Sequence, residues 1–132
     1  MAQILIIDDD KSLRDMLRTA LELDGHDVED VSDGFAAIKQ YGQKPADLII
    51  TDIIMPGKDG IEIIFELHQA NPDIKIIALS GGGRIEATSY LGMAEKFGAA
   101  RTFIKPFDYD DLMNAIGELL TTDITTARAE AD

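Results

Sequence analysis

Ile4-Leu5-Ile6-Ile7 runs straight into Asp8-Asp9-Asp10. An unbroken, β-branched apolar run has no polar face, which suits a strand covered on both sides, as in a parallel sheet. Two other runs have the same character. Leu48-Ile49-Ile50-Thr51 leads into Asp52, and Ile74-Lys75-Ile76-Ile77-Ala78-Leu79 leads into Ser80. Two weaker runs, Asp27-Val28-Glu29-Asp30-Val31 and Thr102-Phe103-Ile104, read as edge strands, and the second leads into Lys105-Pro106.

The segments between these runs carry helical spacing. Leu13, Met16, Leu17, Ala20 and Leu21 recur at intervals of three and four, as do Ala37, Ile38 and Tyr41, and Tyr109, Leu112, Met113, Ile116 and Leu119. Residues 60–70 and 84–97 also read as helices. Asp10, Asp33, Asp59 and Asp108 stand where N-caps belong, and Glu62 and Asp111 follow the last two at the third position. A β-strand and a helix thus alternate five times. Strict alternation predicts an α/β, doubly wound, five-stranded parallel sheet with helices on both faces, in the flavodoxin-like order 2-1-3-4-5. Residues 1–120 form the expected domain. The remainder, 121–132, is rich in Thr and Ala without an apolar period and is expected to be a flexible tail.

Composition narrows the function. A chain of 132 residues suits one domain. Twenty-five acidic against twelve basic residues give a net charge of −13, which opposes direct binding to nucleic acid or to an anionic membrane and admits metal cations. With no cysteine, thiolate metal sites, disulfides and cysteine nucleophiles are excluded. No signal peptide is visible and no apolar run approaches the ~20 residues of a membrane span, so a cytoplasmic location is expected.

In a doubly wound sheet, ligands bind beyond the carboxyl ends of the strands, at the point where strand order reverses. Asp8, Asp9 and Asp52 converge there. Three carboxylates together disfavour one another's ionisation, and a divalent cation resolves the conflict. Hard oxygen ligands without His or Cys favour Mg²⁺. Ser80 and Lys105 end the next two strands on the same rim. A hydroxyl and an ammonium beside an acid–metal cluster suit a phosphoryl group. His26 and His68 fall away from this rim and are expected to have no catalytic role. Residues 60–70 are apolar nearly all round, so one side chain, such as Phe65, is expected at the surface.

These residues resemble the receiver domain of two-component response regulators. The resemblance runs from Ile4 to about Leu120. It rests on Ile6-Ile7-Asp8-Asp9, on Thr51-Asp52-Ile53-Ile54-Met55-Pro56-Gly57-Lys58-Asp59-Gly60, on Ser80-Gly81 and on Lys105-Pro106-Phe107. It implies that Asp52 accepts a phosphoryl group from a histidine kinase or a histidine phosphotransfer protein. It implies that Asp9 binds Mg²⁺ directly, Asp8 largely through water, and that Asp52 and the backbone carbonyl of Ile54 complete the protein ligands. Lys105 would clamp the phosphate, Ser80 would be the switch hydroxyl, and Met55-Pro56 and Gly60 would form the turn into the third helix. Output would pass to a downstream protein partner. Thr102 stands where such receivers commonly carry an aromatic; Phe103 follows it and points to the opposite face of the strand. Glycines 81–83 form a permissive loop that could serve as a hinge.

Two other functions fit the same fold. A Mg²⁺-dependent phosphohydrolase would place a second acid two residues after its nucleophile, where Ile54 stands. A flavin-binding electron carrier would need a phosphate-cradling loop after the first strand, where three acids stand. Neither Ile54 nor Gly82, two residues after Ser80, offers a polar group to orient a hydrolytic water, so the chain is expected to be no enzyme beyond slow self-dephosphorylation.

Overall fold

Side chains alternate across a strand, so each buried strand feeds two separate cores. Ile4 and Ile6 point to one side with Leu48, Ile50, Ile77 and Leu79, where they meet Leu17, Leu21, Leu112, Ile116 and Leu119. Leu5 and Ile7 point to the other side with Ile49, Ile76 and Ala78, against Ala37, Ile63, Ile64, Leu67, Leu91 and Ala94. The computed structural model describes residues 2–54, 60–81 and 84–131, with side chains except at 84–88 and 122–131.

The elements follow in strict alternation: β1 (Gln3–Ile7), α1 (Lys11–Leu23), β2 (Asp27–Val31), α2 (Gly34–Gln43), β3 (Leu48–Asp52), α3 (Gly60–Ala70), β4 (Lys75–Ser80), α4 (Arg84–Phe97), β5 (Arg101–Ile104) and α5 (Tyr109–Ala131). All strand pairs are parallel and the order is β2-β1-β3-β4-β5. The expected architecture is therefore the observed one, with α1 and α5 on one face and α2, α3 and α4 on the other. Burying one Ile or Leu completely is worth about 1.5–3 kcal/mol, against about 0–1 kcal/mol for an exposed ion pair. The two apolar layers, not the charged surface, hold the sheet.

Three of the four expected caps are in place. Asp10 accepts from the N–H groups of Ser12 and Leu13 at 3.0 and 3.3 Å, Asp33 from Ala36 at 2.8 Å, and Asp108 from Asp111 at 3.1 Å. Asp59 and the Met55-Pro56 turn lie outside the described residues. The segment expected as a flexible tail carries helical backbone, with α5 continuing to Ala131. The stretch Ala127-Arg128-Ala129-Glu130-Ala131 is made of strong helix formers, but Thr121-Thr122-Asp123-Ile124-Thr125-Thr126 before it is not, so propensity alone does not explain the extension.

Two glycines mark close approaches. A Cβ on Gly60 would collide with the Asp52 carbonyl oxygen and Ile53 Cα, so α3 starts pressed against the end of β3. Gly98, with φ +126°, sits against the His68 ring, which explains that histidine as packing at the far end of α3. His26 accepts a hydrogen bond from the Ala2 backbone N–H at 3.3 Å, also away from the carboxyl rim. Phe65 does reach solvent, and its ring meets Phe97 edge to face at 5.9 Å.

Candidate functional site

β1 and β3 are neighbours, with Ile7 opposite Thr51, so the next residue of each strand arrives at the same rim. One carboxylate oxygen from each of Asp8, Asp9 and Asp52 lies within 4.8 Å of the others. Asp8 is 1% exposed and Asp52 5%, whereas Asp9 faces solvent. Such an arrangement stores electrostatic repulsion in a site with little water to screen it.

Lys105 offsets part of that repulsion. Its Nζ lies 2.8 Å from Asp8 Oδ2 and 3.6 Å from Asp52 Oδ1. The register of β4 and β5 brings it there, because its backbone N–H donates to the Ser80 carbonyl at 2.7 Å. Gly81 borders the lysine stem, and a Cβ there would meet Lys105 Cβ and Cδ at ordinary contact distances of 3.6 and 3.7 Å. Burial alone would lower the lysine's pKa; the bond to Asp8 and the charges of Asp52 and Asp8 outweigh it and hold the ammonium above its ordinary value. One ammonium cannot neutralise three carboxylates. Burial pushes the Asp52 carboxyl up to about 6, with Lys105 opposing and the charges of Asp8 and Asp9 adding to the rise.

Asp8 is held at every polar atom. Its N–H donates to the Val31 carbonyl at 3.2 Å, continuing the ladder of β1 with β2. Oδ1 accepts from the Asp10 N–H at 2.9 Å, Oδ2 from Lys105, and its carbonyl from Arg14 Nη1 at 2.7 Å. Arg14 Nε in turn donates to Asp30 Oδ1 at 3.1 Å, and Arg18 Nη1 to Asp30 Oδ2 at 2.7 Å. Arg14 and Asp30 are not among the residues expected from the sequence. The available signal is the alternation of β2: Asp30 shares the inward parity of Val28 and so needs a cation on α1.

The remaining expected residues lie on the same rim. Ser80 is fully buried at the end of β4, and its hydroxyl donates to the Gly81 carbonyl at 3.3 Å, a long and weak bond. Ile54 follows β3 two residues after Asp52 with its side chain half in solvent. Gly82 and Gly83 lie outside the described residues. Thr102 faces α4, where its hydroxyl donates to Glu95 at 3.2 Å, while Phe103 packs in the opposite layer against Phe107.

The donor set is chemically suited to Mg²⁺. It is all oxygen, anionic and only partly filled by protein. Ligand bonds of about 2.0–2.1 Å place opposite oxygens about 4 Å apart, close to the spread of the three carboxylates.

Comparison with known proteins agrees with this chemistry. The family described as "Response regulator receiver domain" matches residues 4–117. The chain is 33% identical over 119 residues to the chemotaxis protein CheY of Halobacterium salinarum, covering 90% of this chain and 97% of that one. It is 31% identical over 131 residues to the DNA-binding transcriptional regulator NtrC of Azospirillum brasilense, covering 99% of this chain but 27% of that protein. The structure of the response regulator TrrA of Thermotoga maritima, solved in complex with Mg²⁺–BeF, superposes with a TM-score of 0.79 at 29% identity, covering 90% of this chain and 99% of that one.

The raised Asp52 pKa has a measurable cost. In metal-free protein the folded state keeps this proton up to about pH 6, while the unfolded chain loses it near 3.8. Between those values the native state binds more protons, so stability falls as pH rises. The difference is on the order of 3 kcal/mol once both states are ionised. Asp52→Asn, which cannot ionise, is expected to be more stable than the wild type to urea at pH 7.5 in chelator, with the gap closing towards pH 4. A gap that stays the same at both pH values would contradict the assignment.

Proposed function

The chain belongs to the response regulator receiver domain family, and on that footing we propose that it is a signalling module switched by phosphorylation of Asp52. The observation that carries this reading is the Asp8–Asp9–Asp52 cluster, with Asp8 and Asp52 buried and Lys105 capping it, at the carboxyl end of the sheet. The phosphoryl donor would be a histidine kinase or a histidine phosphotransfer protein. An Asp52 carboxylate oxygen forms the new bond to phosphorus as the P–N bond of the phosphohistidine breaks. The electron pair stays with the imidazole, which takes up a proton.

Asp8, Asp9, Asp52 and the backbone carbonyl of Ile54 would hold Mg²⁺. Bound there, the ion would supply positive charge to the acids and to the phosphoryl oxygens. The complex of TrrA with Mg²⁺–BeF supports this reading. With Asp52 pushed up only to about 6, its carboxylate is mostly ionised at neutral pH and a better nucleophile than an ordinary aspartate. Lys105 already reaches both Asp8 and Asp52, so its ammonium would contact a phosphoryl oxygen with little movement. Ser80 would redirect its hydroxyl from the Gly81 carbonyl, a bond weak enough to exchange. The altered rim then changes how a downstream protein binds. The charge of −13 weighs against direct contact with nucleic acid, and among the described residues no helix is long and apolar enough to cross a membrane. A cytoplasmic location agrees with both. The chain is not read as an enzyme beyond slow loss of its own phosphoryl group.

Incubation with a small phosphodonor and Mg²⁺ is expected to add one phosphoryl mass to the wild type and none to Asp52→Asn, by intact-protein mass spectrometry. Equal gain in the variant would remove Asp52 as acceptor.

The lifetime of that state follows from Ile54. Its alkyl side chain beside Asp52 cannot orient a water against the acyl phosphate. Decay is expected to speed up about tenfold in Ile54→Asn, equivalent to ~1.4 kcal/mol of barrier. A variant that decays no faster would show that this position does not govern hydrolysis.

A further inference from the structure

β1 ends at Ile7, and the Asp8 N–H makes the last ladder bond, to Val31. The Asp8 carbonyl has no strand partner, yet Asp8 is 1% exposed, and a buried carbonyl without a donor is costly. Arg14 supplies the donor from α1 at 2.7 Å. We propose that Arg14 is a positioning residue for the metal-binding acids: its guanidinium, anchored on Asp30, fixes the peptide that follows Asp8 and so aims Asp8 and Asp9 at the cation.

The geometry is that of a rigid link. Nε of the planar fork holds Asp30 Oδ1 while Nη1 holds the Asp8 carbonyl, so one inflexible group joins β2 to the acid loop. Asp30 cannot swing away, because Arg18 holds its other oxygen at 2.7 Å. Arg14 and Asp30 are largely buried, with side chains 13% and 17% exposed. Surface solubility therefore does not account for the pair.

Two other roles are open to an arginine here, and both differ in sign or in readout. A purely structural pair would change the stability of the metal-free protein and leave cation affinity alone. A purely electrostatic role would run the other way, since removing a positive charge near three carboxylates tightens binding of a cation. Only positioning predicts weaker binding on neutralisation.

This proposal rests on the reading of the acid cluster as a Mg²⁺ site, so calorimetric titration of the wild type with Mg²⁺ comes first. Arg14→Gln is then expected to weaken Mg²⁺ binding roughly 10- to 100-fold, the usual range for residues that orient metal ligands. Arg14→Lys keeps the charge but replaces the fork with one nitrogen, and is expected to weaken binding as well. Arg101→Gln, which removes a cation paired with Glu118 and in contact with neither Asp8 nor Asp30, should stay within about twofold. Melting of each metal-free variant, followed by circular dichroism, confirms that it is folded. A wild type that binds no Mg²⁺ removes the metal-site reading and this proposal together. A wild type that binds, with Arg14→Gln and Arg14→Lys binding equally well or more tightly, overturns this proposal alone.

Discussion

The 2.8 Å pair between Lys105 and Asp8 is what allows three carboxylates to share the end of a parallel sheet. Exposed pairs such as Lys11–Asp15, with side chains 76% and 58% in solvent, add about 0–1 kcal/mol and could be lost without consequence for the site. The Lys105 pair is different because Asp8 is buried and water screens it poorly. Breaking it would leave an uncompensated buried charge, the expensive case for an internal ion pair. Burial does most to raise the Asp52 pKa, and because the compensation is incomplete the charges of Asp8 and Asp9 add to the rise. A site with too little positive charge is one that a cation completes.

The architecture delivers these groups without any loop having to reach for them. Parallel strands all present their carboxyl ends on one side, so Asp8, Asp52, Ser80 and Lys105 arrive by register alone. Two apolar layers fix that register, since a slip of one residue would turn Ile49 and Ile50 to the wrong faces. Gly60 sets the distance between α3 and the backbone of Asp52. Rigidity in the sheet and weak bonds at its rim coexist: the Ser80 hydroxyl is deeply buried, and its bond to the Gly81 carbonyl is long.

Much of this is legible in the sequence because the signals are local and repeated. Continuous apolar runs mark buried strands, and the rule that ligands bind at strand ends turns the fold into a short list of residues, all of which meet at one rim. The weaker runs at Asp27 and Thr102 do become the edges of the sheet. What escapes is long-range or backbone-directed. Arg14 acts on a carbonyl, which has no side-chain identity for a motif to contain, and its anchor Asp30 lies on another strand. The direct grip of Lys105 on Asp8 joins residues 97 positions apart in the chain. The helical backbone beyond Leu120 has no apolar stripe to announce it.

Asp52 sits buried among acids that the Lys105 ammonium only partly offsets. The most direct measurement is a pH titration of the Asp52 side-chain carboxyl by ¹³C NMR, in metal-free protein and again with Mg²⁺. The account predicts a pKa near about 6 without metal, falling below the ordinary carboxylate range when Mg²⁺ is added. An ordinary value near 3.8 in metal-free protein, unmoved by Mg²⁺, would contradict it.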